Sequence, residues 1–508
     1  MTLVVSAPGK VLIAGGYLVL DPKYTGVVVS TSSRFYTVIR DNGKDSVVTV
    51  RSPQFPGAEW ETKVIVNDEG QVLLQNIDEA KALAKNKFVN LAVQKVLTLV
   101  VEVKGASFLS SNLEQGLDIT IVGDNDFYSQ RAYLKAHNLP PTIASLNSIP
   151  PFVPTGWVKL SDVHKTGLGS SASLITSLVT ALLLHFTIIS PDALIPGGNK
   201  EKSLAHNVSQ FVHCLAQGKV GSGFDVSSAI FGSHIYKRFD PAVIAPLMEK
   251  DSNIPLLPVL SPSNKEWNHE IQPFRLPPGL RLMLGDVDAG SDTPSLVGKV
   301  LKWRRESAER GELNTPIAYY YFRLKAVAEN LWTELSARNQ GLANILTQLL
   351  SLHVRQVEEY DSALSKAAAA TYPNWVSLAG NDTEREVLEK LSETRKVSEE
   401  IREYMRMMGS AADVPIEPPE QTRLLDACLR NSGVICGGVP GAGGYDAIWL
   451  LVLETQSSTD QSPIDSLQEL WSTWTELSVS PLTAVESRGG GVRLEQLDVV
   501  PGLEAVLN

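Results

Sequence analysis

Lys165-Thr166-Gly167-Leu168-Gly169-Ser170-Ser171-Ala172-Ser173 is the stretch on which the reading of this chain turns. Two glycines within three positions let the backbone bend tightly and bring amide N–H groups close to a ligand. The strongly apolar run 174–186 that follows predicts a buried helix, whose positive end then lies at the loop. A glycine loop opening into a helix N-terminus is the physical recipe for holding phosphate. Ser170 and Ser171 add hydroxyls that donate to phosphate or ligate a cation. The competing reading is a Gly-Ser turn that only caps a helix. The loop is not a P-loop, because G-x-x-x-x-G-K-[ST] is absent. It does meet the loose dinucleotide pattern as Gly167-x-Gly169-x-x-Ala172, but the preceding residues 161–165 are polar where that fingerprint needs a buried strand.

Upstream, Ser6-Ala7-Pro8-Gly9-Lys10 leads through 11–14 to Gly15-Gly16-Tyr17. Pro8-Gly9 predicts a bend with Lys10 at its exit, where a lysine reaches a phosphoryl group as a point charge or simply stays solvated. Downstream comes Gly218-Lys219-Val220-Gly221-Ser222-Gly223-Phe224-Asp225, whose glycines predict an ordered backbone beside a ligand. Further on, Gly437, Gly438, Gly441, Gly443 and Gly444 exceed what a simple turn needs. Their excess predicts a close backbone approach, against the alternative of a mobile hairpin.

The 508 residues exceed one core and predict two to four domains. Residues 27–29 and 34–39 read as strands, 42–75 as further strands broken at Pro53, Pro56 and Gly57, and 78–104 as an amphipathic helix. The polar, Pro-rich segment 124–156 predicts a long surface loop, 157–160 a short strand, and 202–216 a helix. A boundary falls in the Pro-, Asn- and Ser-rich 240–275. Beyond it come a strand at 280–285, helices across 295–310, 316–371 and 383–408, a break at Pro415, Pro418 and Pro419, and a strand at 447–453. The last 35 residues read as strands around Gly489-Gly490-Gly491. The expectation is two α+β domains, 1–240 and 241–508.

A hydrophobic fraction of 43% with 20% charged residues is ordinary for a globular protein, and the net charge of -11 disfavours nucleic acid and anionic membrane as partners. No window approaches the roughly 18 apolar residues of a membrane span. Cys214, Cys428 and Cys436 are odd in number and lack metal-type spacing, so neither a disulfide framework nor structural zinc is expected. No leader and no peroxisomal tail signal is apparent, so a cytoplasmic location is expected. No obligate protein partner is evident.

Taken in order, the Ala-Pro-Gly-Lys run ending at Lys10, the Gly-Leu-Gly-Ser-Ser-Ala run 167–172 and the late glycine loop resemble the three signature motifs of the GHMP kinase superfamily. The similarity is strongest to its eukaryotic phosphomevalonate kinase branch. It runs through Ala14 to Asp21, His213-Cys214, Ala216-Gln217-Gly218-Lys219, Ile416-Glu417-Pro418-Pro419, Gln421-Thr422, Leu424-Leu425-Asp426 and 440–448, and is loose in 40–150 and 300–405. The resemblance implies an N-terminal domain with a left-handed βαβ crossover, a ferredoxin-like C-terminal domain and an active-site cleft between them. It implies ATP with Mg²⁺, and conversion of phosphomevalonate to diphosphomevalonate in the route to isoprenoids and sterols. By motif position Lys10 and Asp225 match a catalytic lysine and aspartate, and 165–172 the nucleotide phosphate loop. Ser171 matches a Mg²⁺-ligating serine. Gly16, Tyr17, Lys219, Ser222, Gly223, Ser291, Gly443 and Gly444 are the expected substrate contacts.

Two departures from mevalonate kinases stand out. Those enzymes typically carry Gly-Glu-His where this chain has Gly15-Gly16-Tyr17, which steers the reading away from mevalonate as acceptor. They also carry a Mg²⁺-binding glutamate eleven residues before the aspartate, and here that position is Cys214. Two anions must meet in such a cleft, so Lys10, Lys23, Lys165 and Lys219 are candidate cations, with Lys23 better read as a solvated turn residue. Gly290-Ser291-Asp292-Thr293 either donates hydroxyls to the acceptor phosphate or caps a helix. The rival readings are a kinase of the same superfamily with a sugar or amino-alcohol acceptor, a silent ligand-sensing relative, and a nicotinamide-dependent dehydrogenase.

Overall fold

The β-branched and aromatic runs near the N-terminus form the centre of the larger of two sheets. The computed structural model describes residues 2–82, 86–156, 163–195, 200–249, 252–287, 293–310, 316–454 and 462–507. Strands β1 (Leu3–Ala14) and β2 (Thr25–Arg40) form a long antiparallel pair, and both are buried almost throughout. They are followed by β3 (Val47–Arg51), β4 (Glu59–Val66), β5 (Val72–Asn76) and β6 (Leu117–Gly123). The order across this sheet ends β1-β2-β6-β3-β4-β5, with β3 and β6 parallel and the other pairs antiparallel. β7 (His234–Lys237) pairs with the first residues of β2, and β8 (Glu270–Pro273) with β7.

One face of this sheet is covered by helices Lys87–Lys104, Ser170–His185 and Phe224–Phe231, and Lys200–Gln217 packs on those helices. Ser170–His185 is buried along nearly its whole length, which explains its near-uniform apolar composition. Of the helix expected over 78–104, Glu79–Ala82 is helical and the long stretch runs over Lys87–Lys104, where the Asn86 side chain accepts from the Phe88 N–H.

The smaller sheet holds β9 (Leu280–Val287), β10 (Val434–Gly438), β11 (Ala447–Leu453) and β12 (Val479–Pro481) in the order β10-β11-β9-β12, all antiparallel. Along β11, Ile448, Leu450 and Val452 pack with Leu424, Leu425 and Trp471, while Trp449, Leu451 and Leu453 join the main core. Helices Pro316–Arg355 and Asp382–Ala412 pack on each other, and Asp382–Ala412 also packs on β10.

Three expectations need correction. Residues 124–156 are not a bare surface loop. Phe127, Tyr128, Leu134 and Phe152 are buried, and short helices form at Arg131–Ala136 and Ile143–Ser148. The helix expected over 316–371 breaks at Gln356, whose φ of -148° leaves the helical region, giving Pro316–Arg355 and Val357–Ala368. The final 35 residues are mostly not strand: among those described only β12 and the two-residue β13 (Arg493–Leu494), which returns to β1, are strands, and Glu504–Leu507 is a short 3-10 helix. Leu503 and Leu507 then cover Val4, Tyr36 and Val38 on the sheet face away from the helices. The strand expected at 157–160 lies outside the described residues.

Candidate active site

Pro8-Gly9 does not turn the chain. It sits inside β1, where the register with β2 shifts between Pro8 and Lys10, a bulge that re-aims the following side chain. Glycine is required at position 9 because a Cβ there would lie 2.7 Å from Thr31 Oγ1 and 3.0 Å from the Leu168 carbonyl oxygen. That carbonyl accepts the Lys10 backbone N–H at 2.9 Å, and Lys10 Nζ donates to the Gly167 carbonyl at 2.8 Å. The Ser173 hydroxyl donates to the Pro8 carbonyl at 2.8 Å. The first motif and the phosphate-type loop are thus one structural unit.

Gly169, at φ 81°, precedes the first turn of Ser170–His185, so that turn's free N–H groups face the loop. Gly167, at φ 79°, has open space on its side-chain side. Ser170 and Ser171 are half-buried, and Lys165 is exposed. Thr166, Leu168 and Ala172 are buried; Thr166 Oγ1 donates to the Asp126 carbonyl rather than into the cleft.

Asp225 lies in the first turn of helix Phe224–Phe231, after Gly223 at φ 79°. Its Oδ1 accepts the Val226 N–H at 2.9 Å, and its Oδ2 is 3.9 Å from His213 Nε2. Burial lowers the Lys10 pKa, and the negative Asp225 opposes that shift. Lys10 Nζ also stands 5.4 Å from the centre of the Phe224 ring. His213 is pulled down by burial, with Asp225 again opposing, so its ring is neutral near pH 7. Cys214 is buried and its thiol is pushed up to about 11, chiefly by burial.

The third glycine segment is docked, not mobile. Gly441 N–H donates to the Leu12 carbonyl at 3.3 Å, Tyr17 OH to the Ala442 carbonyl at 2.6 Å, and Gly444 N–H to the Ile416 carbonyl at 2.8 Å. A Cβ on Gly443 would sit 2.1 Å from that Ile416 oxygen. The close backbone approach foreseen from the glycines is therefore made to the protein's own chain.

A cleft opens between these parts. Lys10, Tyr17, Gly167, Ser222 and Gly443 line it, five of the residues picked out in the sequence. Leu12, Leu20, Phe224, Val297 and Asp446 also line it and were missed, although Phe224 adjoins Asp225. Gly16 instead faces a small cavity behind the third loop. Lys219 and Lys23 are exposed, Lys23 lying over the Tyr24 ring, and Ser291 falls outside the described residues. The segment carrying Ser222 is held from β7: Tyr236 OH donates to the Ser222 carbonyl at 2.9 Å, and the Arg238 guanidinium to the carbonyls of Leu20, Val220 and Gly221.

No family model matches the chain. The peroxisomal phosphomevalonate kinase of Arabidopsis thaliana is 37% identical to it over 479 residues, covering 89% of this chain and 90% of that protein. This chain belongs to the phosphomevalonate kinases. A second member of the family, from Aspergillus fumigatus, is 33% identical over 543 residues, covering 99% of this chain and 96% of its own. Among solved structures, Streptococcus pneumoniae phosphomevalonate kinase in complex with phosphomevalonate and AMPPNP superposes with a TM-score of 0.56 at 14% identity, over 95% of this chain and 99% of that one. A Listeria innocua protein gives 0.57 at 15% identity, over 98% and 100%. These likenesses establish the GHMP kinase fold, as the three motifs implied. Among the described residues no helix is long and apolar enough to cross a membrane.

Proposed function

We propose that this phosphomevalonate kinase family member transfers the γ-phosphoryl group of ATP to (R)-5-phosphomevalonate, giving 5-diphosphomevalonate and ADP. The observation that carries this is one cleft, walled by the docked third loop, that Lys10 and Gly167 both line, with the helix Ser170–His185 opening just past that loop and Asp225 near enough to act on the Lys10 charge. Phosphoryl transfer asks a protein for positioning and for positive charge around the moving group. The helix terminus supplies backbone donors for the ATP phosphates, and Lys10 a cation poised at the loop.

The acceptor chemistry removes one requirement. A phosphate monoester has a second pKa near 6 and is mostly dianionic at pH 7. Its oxygen attacks the γ-phosphorus as the bond to the bridging oxygen of ADP breaks, and no proton has to be removed first. Asp225 then orients Lys10 or the cation and is not a proton acceptor. Lys219, exposed three residues before Ser222, meets the acceptor phosphate from the rim. Tyr17, Ser222 and Gly443 shape the acceptor side, with Gly16, Gly223 and Gly444 setting the backbone behind them.

Ser171 and Asp225 offer a hydroxyl and a carboxylate, both within reach of His213, and Mg²⁺ is ordinarily bound by one or two protein oxygens, phosphates and water. They fit that ion, which when bound would offset charge on the β- and γ-phosphates. We place the division into working halves at 240/241, with β8 and β13 of the second half completing the sheet of the first, and the protein in the cytoplasm. The Arabidopsis relative is named peroxisomal, and imaging of a fluorescent fusion decides the compartment.

A coupled ADP-release assay with Mg²⁺-ATP tests the reaction, comparing phosphomevalonate with mevalonate. Turnover with phosphomevalonate alone is expected. Turnover with mevalonate overturns the acceptor assignment, and silence with both favours a ligand-sensing role.

A further inference from the structure

His213 is 3% exposed, on helix Lys200–Gln217, at the back of the site between Ser171 and Asp225. One ring nitrogen, Nε2, lies 3.1 Å from Ser171 Oγ and 3.1 Å from Gln217 Nε2. The Gln217 amide nitrogen, a donor, faces this ring nitrogen, and Asp225 Oδ2 lies 3.9 Å from it; we take the amide contact to make Nε2 the acceptor and leave the imidazole proton on Nδ1. A ring nitrogen with only a lone pair engages a hydroxyl in one sense: Ser171 donates. Its single proton is then committed to the imidazole, and only lone pairs are left for the cleft.

That commitment decides what Ser171 does. At a helix N-terminus the backbone already supplies donors to a phosphate, and a serine there ordinarily adds another. A serine whose proton is held from behind cannot donate to phosphate oxygen, but it can ligate a cation. The ring itself is fixed in place, buried and tilted against Phe88 at 6.2 Å between centroids. We infer that His213 is a positioning residue that turns the Ser171 oxygen lone pairs toward a nucleotide-bound divalent cation, an inference resting on the Mg²⁺-ATP reading above.

Glutamine places an acceptor where the imidazole Nε2 lies, and asparagine does not reach it. The test is calorimetric titration of the full chain with ADP, with and without Mg²⁺, for His213→Gln, His213→Asn, Ser171→Ala and His213→Asn/Ser171→Ala. His213→Leu replaces His213→Asn should that variant not fold. The natural chain is expected to bind ADP more tightly with Mg²⁺. His213→Asn should lose about tenfold of that gain while its metal-free ADP affinity is unchanged. His213→Gln should restore most of the gain, and His213→Asn should cost nothing further once Ser171 is alanine. Equal weakening with and without metal overturns the inference, as do additive losses in the double variant. A natural chain that binds ADP equally with and without Mg²⁺ overturns the cation reading itself and this inference with it.

Discussion

Lys10 Nζ lies 2.8 Å from the Gly167 carbonyl oxygen while the Lys10 backbone N–H holds the next carbonyl, that of Leu168. The lysine is thus tied at both ends to a loop more than 150 positions away in sequence. Its ammonium occupies the mouth of that loop, with Phe224 alongside. Lys10→Met keeps most of the side-chain volume and removes the charge. A fall in kcat of about 10²–10³ is expected, the size seen when a preorganised electrostatic contact is removed. Lys10→Arg should not restore it, because a Cβ on Gly169 would already lie 3.0 Å from Lys10 Cε and the planar fork needs more room. Steady-state kinetics on folded variants check this; near-natural kcat in Lys10→Met would remove the lysine from the reaction.

Gly16 tests whether the third loop must stay docked. A Cβ at this position would meet the Gly441 carbonyl oxygen at 2.3 Å, a backbone atom that cannot swing aside, and Met405 Cε at 2.9 Å. Gly16→Ala should therefore cost about 1–3 kcal/mol in denaturant unfolding, as overpacking does. It should also raise KM for phosphomevalonate, because Pro440, Gly441, Ala442 and Gly443 form one wall of the cleft. Natural stability together with natural KM would mean the loop moves freely.

The parts of the site that were legible in the sequence are those whose chemistry is local. A left-handed glycine before a helix start, as at Gly169, leaves its mark in adjacent residues. Gly9 was misread as a bend because its constraint is the Leu168 carbonyl, a neighbour that no local pattern reveals. Arg238 and Tyr236 went unseen for the same reason. Each acts on a carbonyl of the 220–222 segment or on Leu20, and a Tyr in a strand with an Arg just past its end carries no sign of that target. The helices within 124–156 were hidden by their length, six residues each, too short for periodicity to register. His213 was quoted only as part of a matching run, since its meaning depends on Ser171 lying 3.1 Å away.

Asp225→Asn separates orientation from proton transfer. The carboxylate is anchored by the Val226 N–H at 2.9 Å, a bond the amide oxygen of asparagine can accept, so the fold should survive. If the carboxylate only orients Lys10 or the cation, kcat falls by about 10–100-fold, the usual cost of losing a supporting group. The remaining rate should still rise with substrate ionisation near pH 6. The measurement is a pH–rate profile of both forms. A limb that belongs to the enzyme and vanishes in Asp225→Asn would make Asp225 a general base.

Acid stability should be governed in part by a histidine cluster remote from the reaction. The rings of His206 and His269 lie 4.4 Å apart, and His234 is fully buried beside them. Burial pushes His234 and His269 each down to about 4, and lowers His206 well below its ordinary value. The unfolded chain takes up the His234 and His269 protons near pH 6.5 while the folded chain refuses them until about pH 4. Stability is therefore complete above pH 6.5, drains away as pH falls toward 4, and levels off below. At pH 5 each such histidine costs about 2 kcal/mol. Asp124 shifts the opposite way, raised to about 7 mainly by burial, so the natural chain alone gives a mixed curve. Comparing the natural chain with His269→Gln cancels that contribution. The variant should lose less unfolding free energy between pH 7.5 and pH 5, by about 2 kcal/mol; parallel curves would show that His269 takes up its proton equally in both states.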